Sequence, residues 1–98
     1  MDKNRIIATL REHQVELTRQ GVLHAALFGS MARGDATADS DIDIMIDLDP
    51  SLQLGVYGYV GLKDYIASLF DTPVDVVNRE GLKPYVKPAA LSDAIYAF

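Results

Sequence analysis

Asp41 and Asp43 stand two residues apart in the stretch SDIDIMID, and a further acidic residue, Asp75, sits inside the apolar run VDVV. Side chains alternate faces along a strand with period two, so Asp41 and Asp43 are expected to point the same way, with Cα atoms roughly 6.5 Å apart. Two ionised carboxylates at that spacing repel unless a cation bridges them or one is protonated. Hard oxygen ligands without His or Cys favour Mg²⁺ or Mn²⁺. Mg²⁺ typically takes one or two protein carboxylates and fills its shell with water and substrate phosphates. Two such ions about 3.5–4 Å apart clamp the attacking and leaving oxygens of a phosphoryl displacement. Asp75 is the best candidate for a third acidic ligand, on a neighbouring strand. The competing reading is a solvent-facing amphipathic strand whose polar positions happen to be Asp. Asp is depleted in strands, and its repetition on one face weighs against that reading.

Upstream, Gly29-Ser30 follows an apolar segment that reads as a strand and opens a short helix. Glycine lets a ligand approach the backbone closely, a helix start offers unpaired N–H groups, and the Ser30 hydroxyl adds a donor. Together they could cradle the outer phosphates of a nucleotide, with Arg33 one turn on adding charge. Taken alone the pair also reads as an ordinary helix cap, and no GxxxxGK[ST] phosphate loop is present.

Charge distribution supports a site completed from outside. Six aspartates lie from Asp35 to Asp49, while Arg33 is the only Lys or Arg between Gln20 and Leu62. Protein cations are too few there to offset the repulsion, and desolvation adds to the cost. Asp47 and Asp49 read as solvated surface, and Asp35 and Asp39 as turn residues.

The elements that must position these groups follow from periodicity. Ile6, Ile7, Leu10 and Leu17 recur at helical spacing, predicting a helix over Lys3–Gln20 that stops at Gly21. Val22–Phe28 reads as a strand. Ser30 is expected to cap a short helix reaching Arg33, before Gly34 breaks it. Asp35–Asp39 reads as loop. Ser40–Leu48 is the clearest strand, with Ile42, Ile44 and Ile46 facing a core and alternating with Asp41, Asp43, Met45 and Asp47. Leu52–Phe70 reads as loop then helix, with Val60, Leu62, Tyr65, Ile66, Leu69 and Phe70 on its apolar face and three glycines weakening its start. Pro73–Asn78 reads as a strand. A last helix is expected between Lys83 and Tyr96, its start blurred by Pro84 and Pro88. Alternating strands and helices imply an α/β layer fold, one domain over residues 1–98.

Bulk properties narrow the function classes. A net charge of −5 argues against direct nucleic-acid binding, which needs a basic footprint. The chain has no cysteine, so disulfides and thiolate metal sites are excluded and a reducing, cytoplasmic setting is expected. The start does not read as a signal peptide, and no apolar run approaches the ~20 residues of a membrane span. Tyr57, Tyr59, Tyr65, Tyr85 and Tyr96 are expected to pack in the core with hydroxyls outward, Tyr57 and Tyr59 being the best guesses for a partner contact. His13 and His24 read as structural. The tail AIYAF fits the body or another subunit equally, and oligomeric state stays open.

The pieces join as G-S-x-x-R-G-x₅-S-D-x-D, carried by Gly29, Ser30, Arg33, Gly34, Ser40, Asp41 and Asp43, seven fixed positions across fifteen residues. This resembles the signature of the DNA polymerase beta-like nucleotidyltransferase superfamily, and the chain's length is similar to that of its minimal nucleotidyltransferase (MNT) group. The resemblance implies an α/β (α+β) nucleotidyltransferase fold, a small mixed sheet of about three strands packed by about four helices. It implies Mg²⁺ dependence, with Mn²⁺ as the alternative, and ATP as substrate. Gly29, Ser30, Arg33 and Ser40 would serve the nucleotide. Asp41, Asp43 and Asp75 would be the catalytic and metal-binding residues, Asp75 also helping to deprotonate the acceptor hydroxyl. Larger relatives carry extra domains for the acceptor, so here the acceptor is expected to come from a partner or to dock on an open face. Many MNT proteins are antitoxins paired with HEPN ribonuclease toxins, and some of these transfer AMP to a toxin tyrosine. The expected function is such an AMP transfer. The alternatives are an antitoxin that masks its toxin by contact alone, and a nucleotidyltransferase subunit acting on a small molecule.

Overall fold

The computed structural model describes residues 2–37 and 39–98. Met1 lies outside the described residues, as does Ala38, which falls within the segment read as loop from Asp35 to Asp39. Four strands form one mixed sheet: β1 (Val22–Phe28), β2 (Ile42–Leu48), β3 (Val74–Asn78) and β4 (Ile95–Tyr96), in the order β3-β2-β1-β4. The β1–β2 and β1–β4 pairs are antiparallel and β2–β3 is parallel. Among the described residues, five helices accompany them: α1 (Lys3–Glu12), α2 (Gln14–Arg19), α3 (Gly29–Arg33), α4 (Gly55–Ser68) and α5 (Lys87–Asp93). A 3₁₀ turn spans Arg79–Gly81. The sheet is thus mixed, as expected, with one strand and one helix beyond the expected numbers.

The period-two pattern of β2 sets the layers. Ile42, Ile44 and Ile46 are fully buried and pack with Ala25 and Leu27 of β1 and Val76 of β3. Ile6 and Leu10 of α1, Leu17 of α2, and Leu62 and Ile66 of α4 complete this core. Full burial of one such side chain is worth about 1.5–3 kcal/mol, so this layer holds the sheet that carries the aspartates. Opposite, Asp43, Met45 and Asp47 share the other face of β2.

Several expectations are corrected. The first helix is two, because the His13 ring nitrogen Nδ1 takes the Thr9 carbonyl at 2.9 Å and the His13 amide closes on Leu10 instead. Ser30 does not cap α3. The helix begins at Gly29, its N-cap is Phe28, and no side chain bonds the cap. Asp41 precedes β2 rather than lying in it, since pairing with β3 starts at Ile42↔Val74. Met45 does not face solvent: it is 2% exposed, flanked in register by Ala26 and Val77. Val60 leaves the expected apolar face of α4 and is half exposed, because the core contacts of that helix come from Leu62 and Ile66. The tail packs on the body. Ile95–Tyr96 pairs with β1, the Ala97 amide bonds the Ala25 carbonyl at 2.8 Å, and the Arg11 Nε bonds the Ala97 carbonyl at 2.7 Å. Among the described residues, no helix is long and apolar enough to cross a membrane.

Candidate active site

Parallel pairing of β2 and β3 sets Asp43 directly beside Asp75. Neighbouring strands lie about 4.7–4.9 Å apart, so the two carboxylates share one face at close quarters. Asp75 is exposed and Asp43 half-buried. Asp41, exposed just before the strand, adds its charge. The Asp43 carboxyl is consequently held above the ordinary carboxylate value, first by desolvation, then by the charges of Asp75 and Asp41, with Arg33 pulling weakly the other way.

Gly29 is built against Asp43. Phe28 is the register partner of Asp43 across β1–β2, so the β1–α3 turn lies at the carboxylate. Gly29 has φ +73°, a conformation L-residues rarely adopt, and a Cβ there would collide with Asp43 Oδ2. The glycine therefore serves two purposes at once, turning the chain and leaving room for the carboxylate. Ser30 follows in the first turn of α3, partly exposed.

The other expected nucleotide residues have visible structural partners. Arg33 Nη1 donates to Asp93 Oδ2 at 2.7 Å and its Nε donates to Asp35 Oδ2 at 3.0 Å. These bonds raise the guanidinium further above its already high value and tie α3 to α5. Ser40 closes its loop: its Oγ accepts from the Thr37 amide at 2.9 Å, and its amide donates to the Thr37 carbonyl at 3.1 Å. Asp93 had no sequence signal, since it lies 60 residues from Arg33 and no periodicity links the two.

Asp47 departs from the solvated reading. Its side chain is only 16% exposed and sits 3.7 Å from Arg79 Nη1. Asp49 caps its own turn, its Oδ1 accepting from the Ser51 amide and hydroxyl, which lowers its pKa. Tyr59 and Tyr65 pack on the core as expected, whereas Tyr57, Tyr85 and Tyr96 are exposed by 93%, 76% and 42%. Tyr57 thus keeps its availability as a contact and Tyr59 loses most of it. The Tyr59 phenol is pushed up by burial, opposed by a backbone hydrogen bond at Asn78 and reinforced by the charge of Asp75.

Among the described residues no three His, Cys, Asp or Glu side chains form a ready-made cation cage. The donor set still suits a hard cation: carboxylate oxygens, mutual repulsion at Asp43, and exposed side chains at Asp41 and Asp75. Asp41, Asp43 and Asp75 are the residues that would hold it.

A family model described as nucleotidyltransferase domain matches residues 7–97. Protein adenylyltransferase MntA of Thermococcus cleftensis is 35% identical over 94 residues, covering 93% of this chain and 91% of that protein. A solved structure provisionally described as a minimal nucleotidyltransferase superimposes with TM-score 0.70 at 31% identity, covering 97% of this chain and 95% of that one. A chain in the structure of a tri-AMPylated Shewanella oneidensis HEPN toxin in complex with an MNT antitoxin superimposes with TM-score 0.63 at 19% identity, covering 94% of this chain and 71% of that one. At that identity the last likeness concerns the fold alone.

Proposed function

The chain belongs to the nucleotidyltransferase domain family, and from that premise we propose that it transfers AMP from ATP to a hydroxyl, a tyrosine for preference, on a HEPN-type toxin and so acts as its antitoxin. The observation that carries this reading is the Asp43–Asp75 pair in register, with Gly29 shaped around the Asp43 carboxylate. A protein that merely masks a partner has no use for a left-handed glycine fitted under a repelling carboxylate pair. The relative named protein adenylyltransferase supports the reaction type, and the fold is shared with a chain of the AMPylated toxin–antitoxin complex.

In this reading the Gly29-Ser30 turn receives the outer phosphates. The acceptor oxygen attacks the α-phosphorus, the bond to the bridging oxygen of the β-phosphate breaks, and pyrophosphate leaves. Asp75, exposed beside Asp43, takes the proton of the attacking hydroxyl. Mg²⁺ or Mn²⁺, when bound by Asp41, Asp43 and Asp75, supplies positive charge for the phosphoryl oxygens. Arg33 holds α3 against α5 and so keeps the phosphate turn in place. Ser40 braces the loop that leads to Asp41.

The test is intact-mass spectrometry of the cognate toxin incubated with this chain, ATP and Mg²⁺. A gain of one or more AMP units, absent with Asp41→Asn or with EDTA, is the expected result. A stable complex without any mass shift would transfer the weight to neutralisation by contact. A mass shift that persists undiminished in Asp41→Asn would remove that residue from the site.

A further inference from the structure

Tyr85 stands at the bend of a turn that enters α5. The Val86 and Lys87 amides both close on the Lys83 carbonyl, at 2.9 and 3.0 Å, which leaves Pro84 and Tyr85 as the central residues. Proline at the first central position presets such a turn. All four residues from Lys83 to Val86 are exposed, and the Tyr85 side chain, 76% exposed, takes no part in the core. The backbone thus carries a phenol on a projecting tip. We propose that the chain modifies itself: Tyr85 of one copy accepts AMP at the active site of a second copy. The inference rests on the nucleotidyltransferase reading and adds the chain's own tyrosine to the acceptors of that site.

Charge selects this tyrosine. Lys83 and Lys87 flank it two residues away on either side, and no Asp or Glu occurs from Gly81 to Ser92. Lys83 Nζ lies 5.9 Å from the ring centroid. The receiving site holds Asp41, Asp43 and Asp75 and takes a triphosphate, so its field attracts a cationic turn and repels an acidic one. Of the five tyrosines only Tyr85 has a lysine within two residues on both sides. Tyr57 is more exposed but stands in the uncharged stretch from Pro50 to Leu62. Position makes the transfer intermolecular. Tyr85 borders a cleft of about 340 Å³ together with Phe28 and Gly29 at the end of β1, whereas Asp75 lies on β3, beyond β2. Two strand spacings, roughly 10 Å, separate β1 from β3, and the turn lies on the other side of β1, where α5 leads into β4. A second copy meets no such separation. There the Tyr85 hydroxyl oxygen attacks the α-phosphorus, the bond to the bridging oxygen of the β-phosphate breaks, pyrophosphate leaves, and Asp75 of the receiving copy takes the phenolic proton.

The test is intact-mass spectrometry of the full chain incubated with ATP and Mg²⁺ and no other protein. A gain of one AMP is expected, placed on Tyr85 by peptide fragmentation and formed faster per chain as the chain is concentrated. An isotope-labelled Asp43→Asn chain, itself inactive, should gain AMP when mixed with wild type. Tyr85→Phe, at an exposed position, should lose the adduct and still modify the cognate toxin at the wild-type rate. Reversing both flanking charges, Lys83→Glu with Lys87→Glu, should slow self-modification roughly tenfold at low salt. A chain that modifies the toxin but never itself would overturn self-modification while leaving the nucleotidyltransferase reading in place. An undiminished adduct in Tyr85→Phe would overturn the assignment to Tyr85. An adduct that never reaches the labelled Asp43→Asn chain would overturn transfer between copies. Failure to modify either protein would overturn the inference together with the reading it rests on.

Discussion

Gly29 and Gly34 make a matched pair for testing what the β1–α3 turn does. Both have left-handed backbone, φ +73° and +83°. They differ in surroundings: a Cβ at Gly29 meets the Asp43 carboxylate, and a Cβ at Gly34 meets nothing within 4 Å. Replacing either by Ala forces an L-residue into a left-handed conformation, at about 1–2 kcal/mol. For a chain of this size each kcal/mol lowers Tm by roughly 4–8 °C. The two variants should therefore lose similar stability in urea or thermal melts. The clash at Gly29 is with the far end of a flexible side chain, so the carboxylate swings away and the sheet does not break. Its cost falls on chemistry, where a misplacement of about 1 Å costs on the order of 10²-fold in rate. Gly29→Ala should then lose AMP transfer by about two orders of magnitude while Gly34→Ala stays within a few-fold of wild type, each assayed at a temperature where both are folded. Equal activity of the two variants would refute the claim that Gly29 is shaped around Asp43.

Asp43→Asn should abolish transfer yet stabilise the metal-free chain at neutral pH. The folded Asp43 carboxyl binds its proton more tightly than the unfolded one, so wild-type stability falls as pH rises from about 3.8 through the raised folded value and stays low above it. The variant lacks this loss, and its advantage should be absent near pH 3 and present at pH 7 in chemical denaturation. Conversely, adding Mg²⁺ with AMP-PNP should raise the Tm of wild type, and EDTA should reverse the gain, with Asp43→Asn responding far less. Arg33→Gln should lower Tm slightly, by a margin that shrinks as salt is raised, because its bonds to Asp93 and Asp35 are solvent-exposed. Ile44→Val, beneath Asp43 on the buried face of β2, should cost about 0.5–1.5 kcal/mol in urea unfolding and leave transfer intact.

The parts legible in the sequence are those governed by neighbours along the chain. β1 and β2 announce themselves through apolar content and a period of two, and the isoleucines of β2 face the core as that period requires. The Gly29-Ser30 turn and the aspartate pair are legible for the same reason, since their chemistry depends on short spacing. Helix α1 shows where local signals fall short: apolar spacing runs unbroken to Leu17, but one side-chain bond from His13 to Thr9 ends the helix. Strand β4 is two residues long, too short for any periodicity, and exists only because β1 offers it an unpaired edge. Met45 shares its side of β2 with aspartates, yet Ala26 and Val77 beside it exclude water. Asp75 stands out from its apolar flanks, but its position opposite Asp43, and not Asp41, is a matter of strand register across 32 residues. The Arg33–Asp93 bond and the Tyr85 cleft likewise depend on where α5 docks. The sequence by itself singled out the candidate groups, through residue type and spacing. Tertiary structure alone decided which of them meet, because pairing and docking join segments that no local pattern connects.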